Sequence, residues 1–377
     1  MTQQTNKLTT VEELQQGMIE AYMAQEFDMV PAHELFGFSQ PLKGLEHPLP
    51  VPKVRHPLAP KIQDGYVFNE SLLRRTLLSM SSRDSIMYVG DKGTGKSSFV
   101  QQICAVLNRP LLAITAGPGV DESYLLGCKT IEEGNVLAAD GVLSYAYRHG
   151  LTCLIDEMCT LRPGVLVSLN DILQGDEVVT LKHHGINPKL DPRELVGLDN
   201  GATLVRHPAF RLFATDNTGG KQQKDARFGG TNTQNSAVRS RFTSMKVGFM
   251  PADKEMMALS NSLGGAVGDL EIASMVEFAF RFRTAFQQGE AHDNISFREL
   301  LRWANKLATY GCIHESFQDA IFGNLEVSDQ VLAGSLFEET FGQELLLDES
   351  YTMSCATQLD AAKAQAAAEA KAAALAA

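Results

Sequence analysis

The residues Gly90-Asp91-Lys92-Gly93-Thr94-Gly95-Lys96-Ser97 have the types and the spacing to hold a polyphosphate. They fit the pattern G-x-x-x-x-G-K-[ST], a loop whose glycines let backbone N–H groups turn inward around phosphate oxygens. In that chemistry Lys96 reaches the β- and γ-phosphates, and the Ser97 hydroxyl ligates Mg²⁺. Gly90, Gly93, Thr94, Gly95, Lys96, Ser97 and the adjoining Ser98 are therefore the candidate nucleotide-binding residues. A second set lies about sixty residues on, in Leu151-Thr152-Cys153-Leu154-Ile155-Asp156-Glu157. An apolar strand ending in two acids can give Mg²⁺ one carboxylate, Asp156, and an attacking water one general base, Glu157. The third set is Phe210-Arg211-Leu212-Phe213-Ala214-Thr215-Asp216-Asn217, where Asn217 can hydrogen-bond both a γ-phosphate and the nucleophilic water. The same asparagine also fits a turn, because Thr218-Gly219-Gly220 follow it. Two arginine-bearing segments come later, Val238-Arg239-Ser240-Arg241-Phe242 and Ser296-Phe297-Arg298-Glu299-Leu300. Read alone, their arginines fit solvated surface charges as well as nucleotide contacts. An arginine that reaches a neighbouring subunit's γ-phosphate is worth roughly 10³–10⁵ in rate, or about 4–7 kcal/mol of barrier.

Such groups must be carried by elements that converge. The apolar run Ile86-Met87-Tyr88-Val89 precedes the phosphate loop, and Phe99, Val100, Ile103 and Leu107 make one face of a helix after it. Further strands are expected at Leu111–Thr115, Leu151–Ile155, Phe210–Thr215 and Met245–Phe249, with helical patterns between several of them. Alternation of this kind implies a parallel sheet covered by helices on both faces, an α/β class. From about residue 251 helices dominate, around Met256–Leu263, Leu270–Phe286, Phe297–Tyr310 and Val331–Phe341, which reads as a smaller all-helical domain. Near the N-terminus, residues 9–25 read as a helix with a capping box at Thr10-Val11-Glu12-Glu13 and a stripe of Leu14, Met18, Ile19 and Tyr22. Six prolines between Pro41 and Pro60 make that stretch an extended connector. Asn69 caps a helix carrying Leu72, Leu73, Leu77 and Leu78. The expected organisation is residues 1–62 as N-terminal helix and connector, 63–250 as the nucleotide-binding domain, 251–350 as a helical lid, and 351–377 as an Ala-rich, solvent-exposed tail.

Composition narrows the class. A chain of 377 residues suggests two or three domains, and 44% hydrophobic residues suffice for a substantial core. A net charge of −12 argues against a broad nucleic-acid surface. Lys182, His183, His184 and Lys189 leave a modest basic loop, a feature that suits a nucleic-acid motor as the alternative reading. His183-His184 has no third ligand at useful spacing, so Mg²⁺ brought by the nucleotide is the only metal expected. None of the six cysteines (Cys104, Cys128, Cys153, Cys159, Cys312, Cys355) forms a C-x-x-C pair, so reduced thiols are expected. The N-terminus shows no apolar h-region, and no run is long and apolar enough to span a bilayer, so a cytoplasmic location is expected.

Jointly these motifs resemble the MoxR branch of the AAA+ ATPases, and within it the CobS-like group with its relatives, the CbbQ and NorQ activators. The carriers are Gly93-Thr94-Gly95-Lys96-Ser97, Leu154-Ile155-Asp156-Glu157, the stretch His207-Pro208-Ala209-Phe210-Arg211-Leu212-Phe213-Ala214-Thr215-Asp216-Asn217, and Arg298-Glu299-Leu300-Leu301-Arg302-Trp303-Ala304. The resemblance spans roughly residues 60–345. It implies ATP and Mg²⁺ as cofactors and hydrolysis of ATP to ADP and phosphate. It also implies Asn217 as sensor 1, Arg241 as arginine finger and Arg298 as the sensor 2 arginine. Ser240 stands where the family usually has an acid, which leaves Arg239 as a competitor for the finger. Two family insertions are expected. One is a helix-2 hairpin around Gly127-Cys128-Lys129, Gly134-Asn135 and Asp140-Gly141. The other is a pre-sensor hairpin, flanked by Val178–Leu181 and Thr203–Val205, with an unusually long stretch from Lys182 to Ala202. The segment Asn217–Gln234 is rich in Gly, Gln and Lys and departs from the pattern. The family further implies a homo-oligomeric ring, a hexamer, acting with a partner that carries a von Willebrand A-type domain, upon a client enzyme. No tetrapyrrole-binding constellation is visible in the sequence, so a chelatase-type assembly would draw its energy from this chain and leave chelation to another. Activators of a metalloenzyme or a carboxylase fit the same residues.

Overall fold

A computed structural model describes residues 10–132, 135–186, 188–196, 201–218 and 236–348. The Ala-rich tail, Gly134 and most of the 217–234 segment lie outside them. The chain forms two compact units. The first comprises residues up to 63, 68–91 and 96–247; the second comprises 64–67, 92–95 and the residues from 248 onward.

Five strands organise the first unit: β1 (Ile86–Val89), β2 (Leu111–Thr115), β3 (Thr152–Asp156), β4 (Arg211–Asp216) and β5 (Thr243–Lys246). They lie side by side in the order β5-β1-β4-β3-β2, every pair parallel. β3 and β4 start one residue later than the apolar runs alone suggest, so their terminal acids lie inside the strands. β5 begins earlier than expected because Thr243 pairs with Ile86, and Val247 N–H still donates to Val89 O at 2.8 Å as β1 ends.

Both faces of the sheet are buried, which is why its strands read as near-continuous apolar runs. Ile86, Tyr88, Leu154 and Phe213 point to one face, while Met87, Cys153, Ile155, Leu212 and Ala214 point to the other. The helices α1 (Val11–Met23), α2 (Glu70–Ser81), α3 (Lys96–Val106) and α4 (Val142–His149) belong to this unit. Leu73 and Leu77 of α2 join Phe99, Val100 and Ile103 of α3 over the first face. Leu143, Ala146 and Tyr147 of α4 join Leu166 and Leu169 over the second. Each such leucine, isoleucine, valine or phenylalanine contributes roughly 1.5–3 kcal/mol when fully buried.

Local sequence explains the element ends. Thr10 and Glu13 exchange reciprocal bonds of 3.1 Å at the start of α1, and Asn69 accepts from Leu72 N–H at 2.9 Å at the start of α2. The proline-rich connector is not wholly without pairing. Leu49–Pro52 pairs antiparallel with Phe27–Val30 in a two-stranded ribbon, where Pro50 and Pro52 are tolerated because the ribbon is all edge. Gly127–Glu132 and Asn135–Asp140 form an antiparallel hairpin between the short helix Glu122–Leu126 and α4. Gly127 opens it at φ +98°, where a Cβ would stand 2.1 Å from Ala139 O, so no other residue fits. Val178–Thr180 pairs with Thr203–Val205 in the second hairpin.

The second unit holds α5 (Ala252–Leu263), α6 (Asp269–Gln288), α7 (Phe297–Tyr310), α8 (Ile313–Ala320) and α9 (Val327–Phe341). Trp303 centres its core, with the rings of Phe317, Phe278 and Phe341 at 4.9, 5.6 and 5.7 Å. A buried ion pair, Arg283 to Glu255 at 2.8 and 2.9 Å, joins α6 to α5. The sequence reading missed α8, whose buried residues are only Ser316, Phe317 and Ala320. Among the described residues, no helix is long and apolar enough to cross a membrane.

Candidate nucleotide site

The sheet register levels the ends of four strands. Asp216 pairs with Val89, Ala214 with Ile155, and Thr115 with Asp156. Gly90 N–H then donates to Asp216 O at 3.1 Å, one step beyond the ladder. The loop leaves the sheet there and enters α3 at Lys96 through Gly93 and Gly95, both left-handed at φ +81° and +82°. Successive N–H groups in such a turn, followed by a helix N-terminus, make an anion-binding concavity.

Lys96 is 6% exposed. Its ammonium donates to the carbonyl oxygens of Gly90 (2.8 Å) and Asp91 (2.7 Å). Burial pulls its pKa down to about 8, and the charges of Asp91, Asp156 and Asp216 act the other way. Ser97 Oγ, one residue on, donates to Asp156 Oδ1 at 2.6 Å. The same oxygen accepts from Thr215 Oγ1 at 2.6 Å. Two hydroxyls therefore fix one carboxylate.

Glu157 has φ +56° and ψ +42°. A left-handed, non-glycine residue is strained by on the order of 1–3 kcal/mol and persists only where its surroundings hold it. Here Thr215 Oγ1 accepts from Glu157 N–H at 2.8 Å, and Thr160 Oγ1 donates to Glu157 O at 2.9 Å. Asn217 Nδ2 lies 3.4 Å from Glu157 Oε1, a long contact that brings the amide beside the acid. Asp216 is fully buried; its Oδ1 accepts from Thr218 N–H (2.7 Å) and Thr218 Oγ1 (2.8 Å), which turns the chain after β4. Next to it, burial pushes the Cys159 thiol up to about 11, with Asp216 and Glu157 adding to the effect, so this cysteine stays protonated.

Gly90, Lys96, Ser97, Asp156, Glu157 and Asn217 thus come together at one end of the sheet, and Ser98 lies half-buried in the first turn of α3. Arg241 does not join them. Its guanidinium donates to Ala237 O, in the helical turn Ser236–Arg239 just before it. Arg298 is exposed in the first turn of α7, in the second unit, behind a capping box formed by Ser296 and Glu299. Thr215 was not singled out from the sequence, although it touches both acids. The available signal was register: Ala214 opposite Ile155 puts the next residue beside Asp156.

The donors suit Mg·ATP. Mg²⁺ takes hard oxygen ligands, commonly one or two carboxylates together with substrate phosphates, and Ser97 and Asp156 already share a contact. No cluster of three or more His, Cys, Asp or Glu residues able to hold a metal occurs among the described residues. His184 is buried, with Nδ1 3.0 Å from Gly201 O; Lys182 and His183 approach Glu122 at 3.9 and 3.5 Å. Lys182 and His183 thus stand beside an acid, with their own side chains exposed. The five described cysteines are free thiols.

Residues 85–242 match the AAA domain of the dynein-related subfamily. The chain carries an AAA domain. With the five-stranded parallel sheet and a separate helical unit, its fold is that of the AAA+ ATPases. It is similar to the aerobic cobaltochelatase subunit CobS of Sinorhizobium sp, 26% identical over 324 residues, which cover 84% of this chain and 91% of that protein. It is also similar to an uncharacterised protein of Staphylococcus saprophyticus (26% over 275 residues, 70% of this chain and 91% of the relative). A further uncharacterised protein, from Staphylococcus aureus strain USA300, is 26% identical over 274 residues, 71% of this chain and 92% of the relative.

Proposed function

We propose that this chain hydrolyses ATP as a subunit of a homo-oligomeric ring of the CobS/MoxR type and uses that energy to remodel or activate a partner protein. The observation that carries the reading is the convergence of Lys96, Ser97, Asp156, Glu157 and Asn217 at the carboxyl ends of β1, β3 and β4 within an AAA domain. In this reading the loop N–H groups and Lys96 hold the phosphates. Ser97 and Asp156 hold Mg²⁺, which supplies counter-charge to the triphosphate. Glu157 accepts the proton of the attacking water, and Asn217 orients that water and the γ-phosphate. Products are ADP and phosphate.

Among the described residues Arg241 bonds to a backbone carbonyl and to no carboxylate, which suits a finger that serves a neighbouring subunit. Arg239, two residues earlier, remains its competitor. Arg298, on the helical unit, is the proposed reporter of nucleotide state. The ring is proposed as a hexamer, working in the cytoplasm. Its partner is proposed to carry a von Willebrand A-type domain and to act on a client enzyme. The hairpin between Glu122–Leu126 and α4 exposes Ile131 (75%), Val136 (64%) and Leu137 (46%), an apolar tip able to grip a protein partner. Likeness to a cobaltochelatase subunit favours a metal-chelatase assembly, with chelation itself done by another subunit. An activator of a metalloenzyme or a carboxylase is the alternative client relationship.

Mixed rings test this reading. Arg241→Ala subunits and Lys96→Ala subunits are each expected to be inactive alone. Together they are expected to recover hydrolysis, because some interfaces then pair an intact loop with an intact finger. Absence of recovery in verified mixed rings, with Arg239→Ala subunits rescuing instead, moves the finger to Arg239. Absence of recovery in every mixture rejects the shared site.

A further inference from the structure

The opposite end of the sheet, where β4 begins and where the chain enters β2, carries a cavity that the nucleotide residues do not touch. It measures about 370 Å³, within the range of about 300–1,000 Å³ usual for small-molecule sites. Its walls are largely apolar: Leu77 and Met80 of α2, Leu107, Leu49, and Ile19 and Tyr22 of α1. Arg83, Arg109, His207 and Arg211 line it as well, and among the described residues no acidic residue does. His207 and Arg211 come from the His207-Pro208-Ala209-Phe210-Arg211 stretch, conspicuous in the sequence and without a part in hydrolysis.

The two arginines deepest in the cavity lack a carboxylate partner among the described residues. Arg211 Nη1 donates to the carbonyl oxygens of Pro208 (2.8 Å) and Phe210 (2.7 Å), while its Nε is buried without a partner. Arg109 Nε donates to Thr152 Oγ1 at 3.2 Å and its Nη2 to Ala209 O. Beside them Arg206 donates to Gly175 O (3.1 Å) and Arg83 O (2.7 Å), and its Nε too is buried and unpartnered. None of Arg83, Arg109, Arg206 and Arg211 forms an ion pair among the described residues; the hydrogen bonds of Arg109 and Arg211 go to neutral carbonyls and one hydroxyl, while Arg206 also feels the charges of Asp84 and Glu177. Burial, reinforced by Arg109, Arg206 and Arg83, pulls the Arg211 pKa down to about 9. Burial with His149 and Arg109 pulls His207 down to about 4. A guanidinium held largely out of water against neutral acceptors, as that of Arg211 is, is costly, and a matching anion relieves that cost.

We propose that this cavity binds a small amphipathic carboxylate, its head on Arg211 and Arg109 and its apolar body against Leu77, Met80 and Leu107. A monoanion matches the few donors left free, and the guanidinium fork matches the planar carboxylate. The site is separate from ATP turnover, so the proposal stands or falls without it.

The probe is 4-phenylbutyrate, with 4-phenyl-1-butanol as its uncharged counterpart, each titrated calorimetrically into the full-length protein at millimolar concentration. The carboxylate is expected to bind with one-to-one stoichiometry and about tenfold or more tighter than the alcohol, the size of a charge-assisted hydrogen bond. Arg211→Met is expected to remove that preference while the circular-dichroism spectrum and the denaturant midpoint stay near those of the wild type, which certifies the fold. Arg83→Glu, a substitution at an exposed residue of the lining, is expected to weaken the carboxylate and spare the alcohol; it carries the test where Arg211→Met does not fold. No binding of the carboxylate, equal binding of both probes, or a preference that survives the substitutions overturns the proposal.

Discussion

Thr215 is the residue whose replacement tests the geometry of the site most sharply. Its hydroxyl donates to Asp156 Oδ1 at 2.6 Å and accepts from Glu157 N–H at 2.8 Å, and the residue is fully buried. Thr215→Val keeps the shape and removes both bonds. The bond to a carboxylate is worth about 1.5–3 kcal/mol, and an unmade N–H costs about 1–3 kcal/mol. Asp156 keeps its bond from Ser97, so it is not set adrift. Glu157 loses one of the two tethers, with Thr160, that hold its left-handed backbone. We therefore expect a stability loss of about 2–4 kcal/mol in denaturant titrations. In steady-state phosphate release we expect kcat to fall by about 10–100-fold, equivalent to about 1.4–2.7 kcal/mol of barrier. Nucleotide affinity is expected to change little, because the loop and Lys96 are untouched. Thr215→Ser restores both bonds and is expected to restore kcat. A Thr215→Val protein that turns over like the wild type refutes the claim that this hydroxyl positions the two acids.

Other outcomes follow from single contacts. Lys96 has a pKa of about 8 before nucleotide binds, and phosphate pairing favours its charged form. Affinity for Mg·ADP is therefore full below about pH 7, halved at about pH 8 and expected to fall about tenfold by about pH 9, whereas Lys96→Met is weak at every pH; a flat wild-type profile contradicts the assignment. Arg148 pairs with Asp140 at 2.8 Å where the hairpin meets α4, both side chains under a tenth exposed. Arg148→Ala leaves that carboxylate buried and alone, so a loss of about 3–5 kcal/mol is expected on chemical denaturation, and a loss below about 1 kcal/mol tells against the pair. Glu157→Gly is expected to be about 1–2 kcal/mol more stable than Glu157→Ala, because only glycine adopts the left-handed backbone freely; equal stabilities contradict the strain.

Much of the fold was legible because the parallel strands are buried on both faces and announce themselves as apolar runs. The residues after those runs then had to converge, since strand ends in a parallel sheet lie on one edge. Asp156, Glu157 and Asn217 were found that way. Thr215 escaped because a threonine inside an apolar strand looks like filler until the register puts it beside Asp156. The Leu49–Pro52 ribbon escaped because its prolines mask a strand that pairs on one side only. α8 escaped because it buries little beyond Phe317 and small residues. The arginine-lined cavity was illegible in principle. Its members come from residues 19 to 211 of the chain, and neither their spacing nor the net charge of −12 hints at a local basic surplus.

Phosphate release by wild-type and Glu157→Gln proteins, with Mg²⁺ and saturating ATP, is the most direct measurement of whether this cluster performs hydrolysis. The wild type is expected to turn over, and the substitution to lower the rate by about 10²–10⁴-fold with ATP binding intact. Equal rates for the two proteins, or no turnover by the wild type in its assembled state, contradict the assignment of Glu157 as the base and of the chain as an ATP-driven subunit.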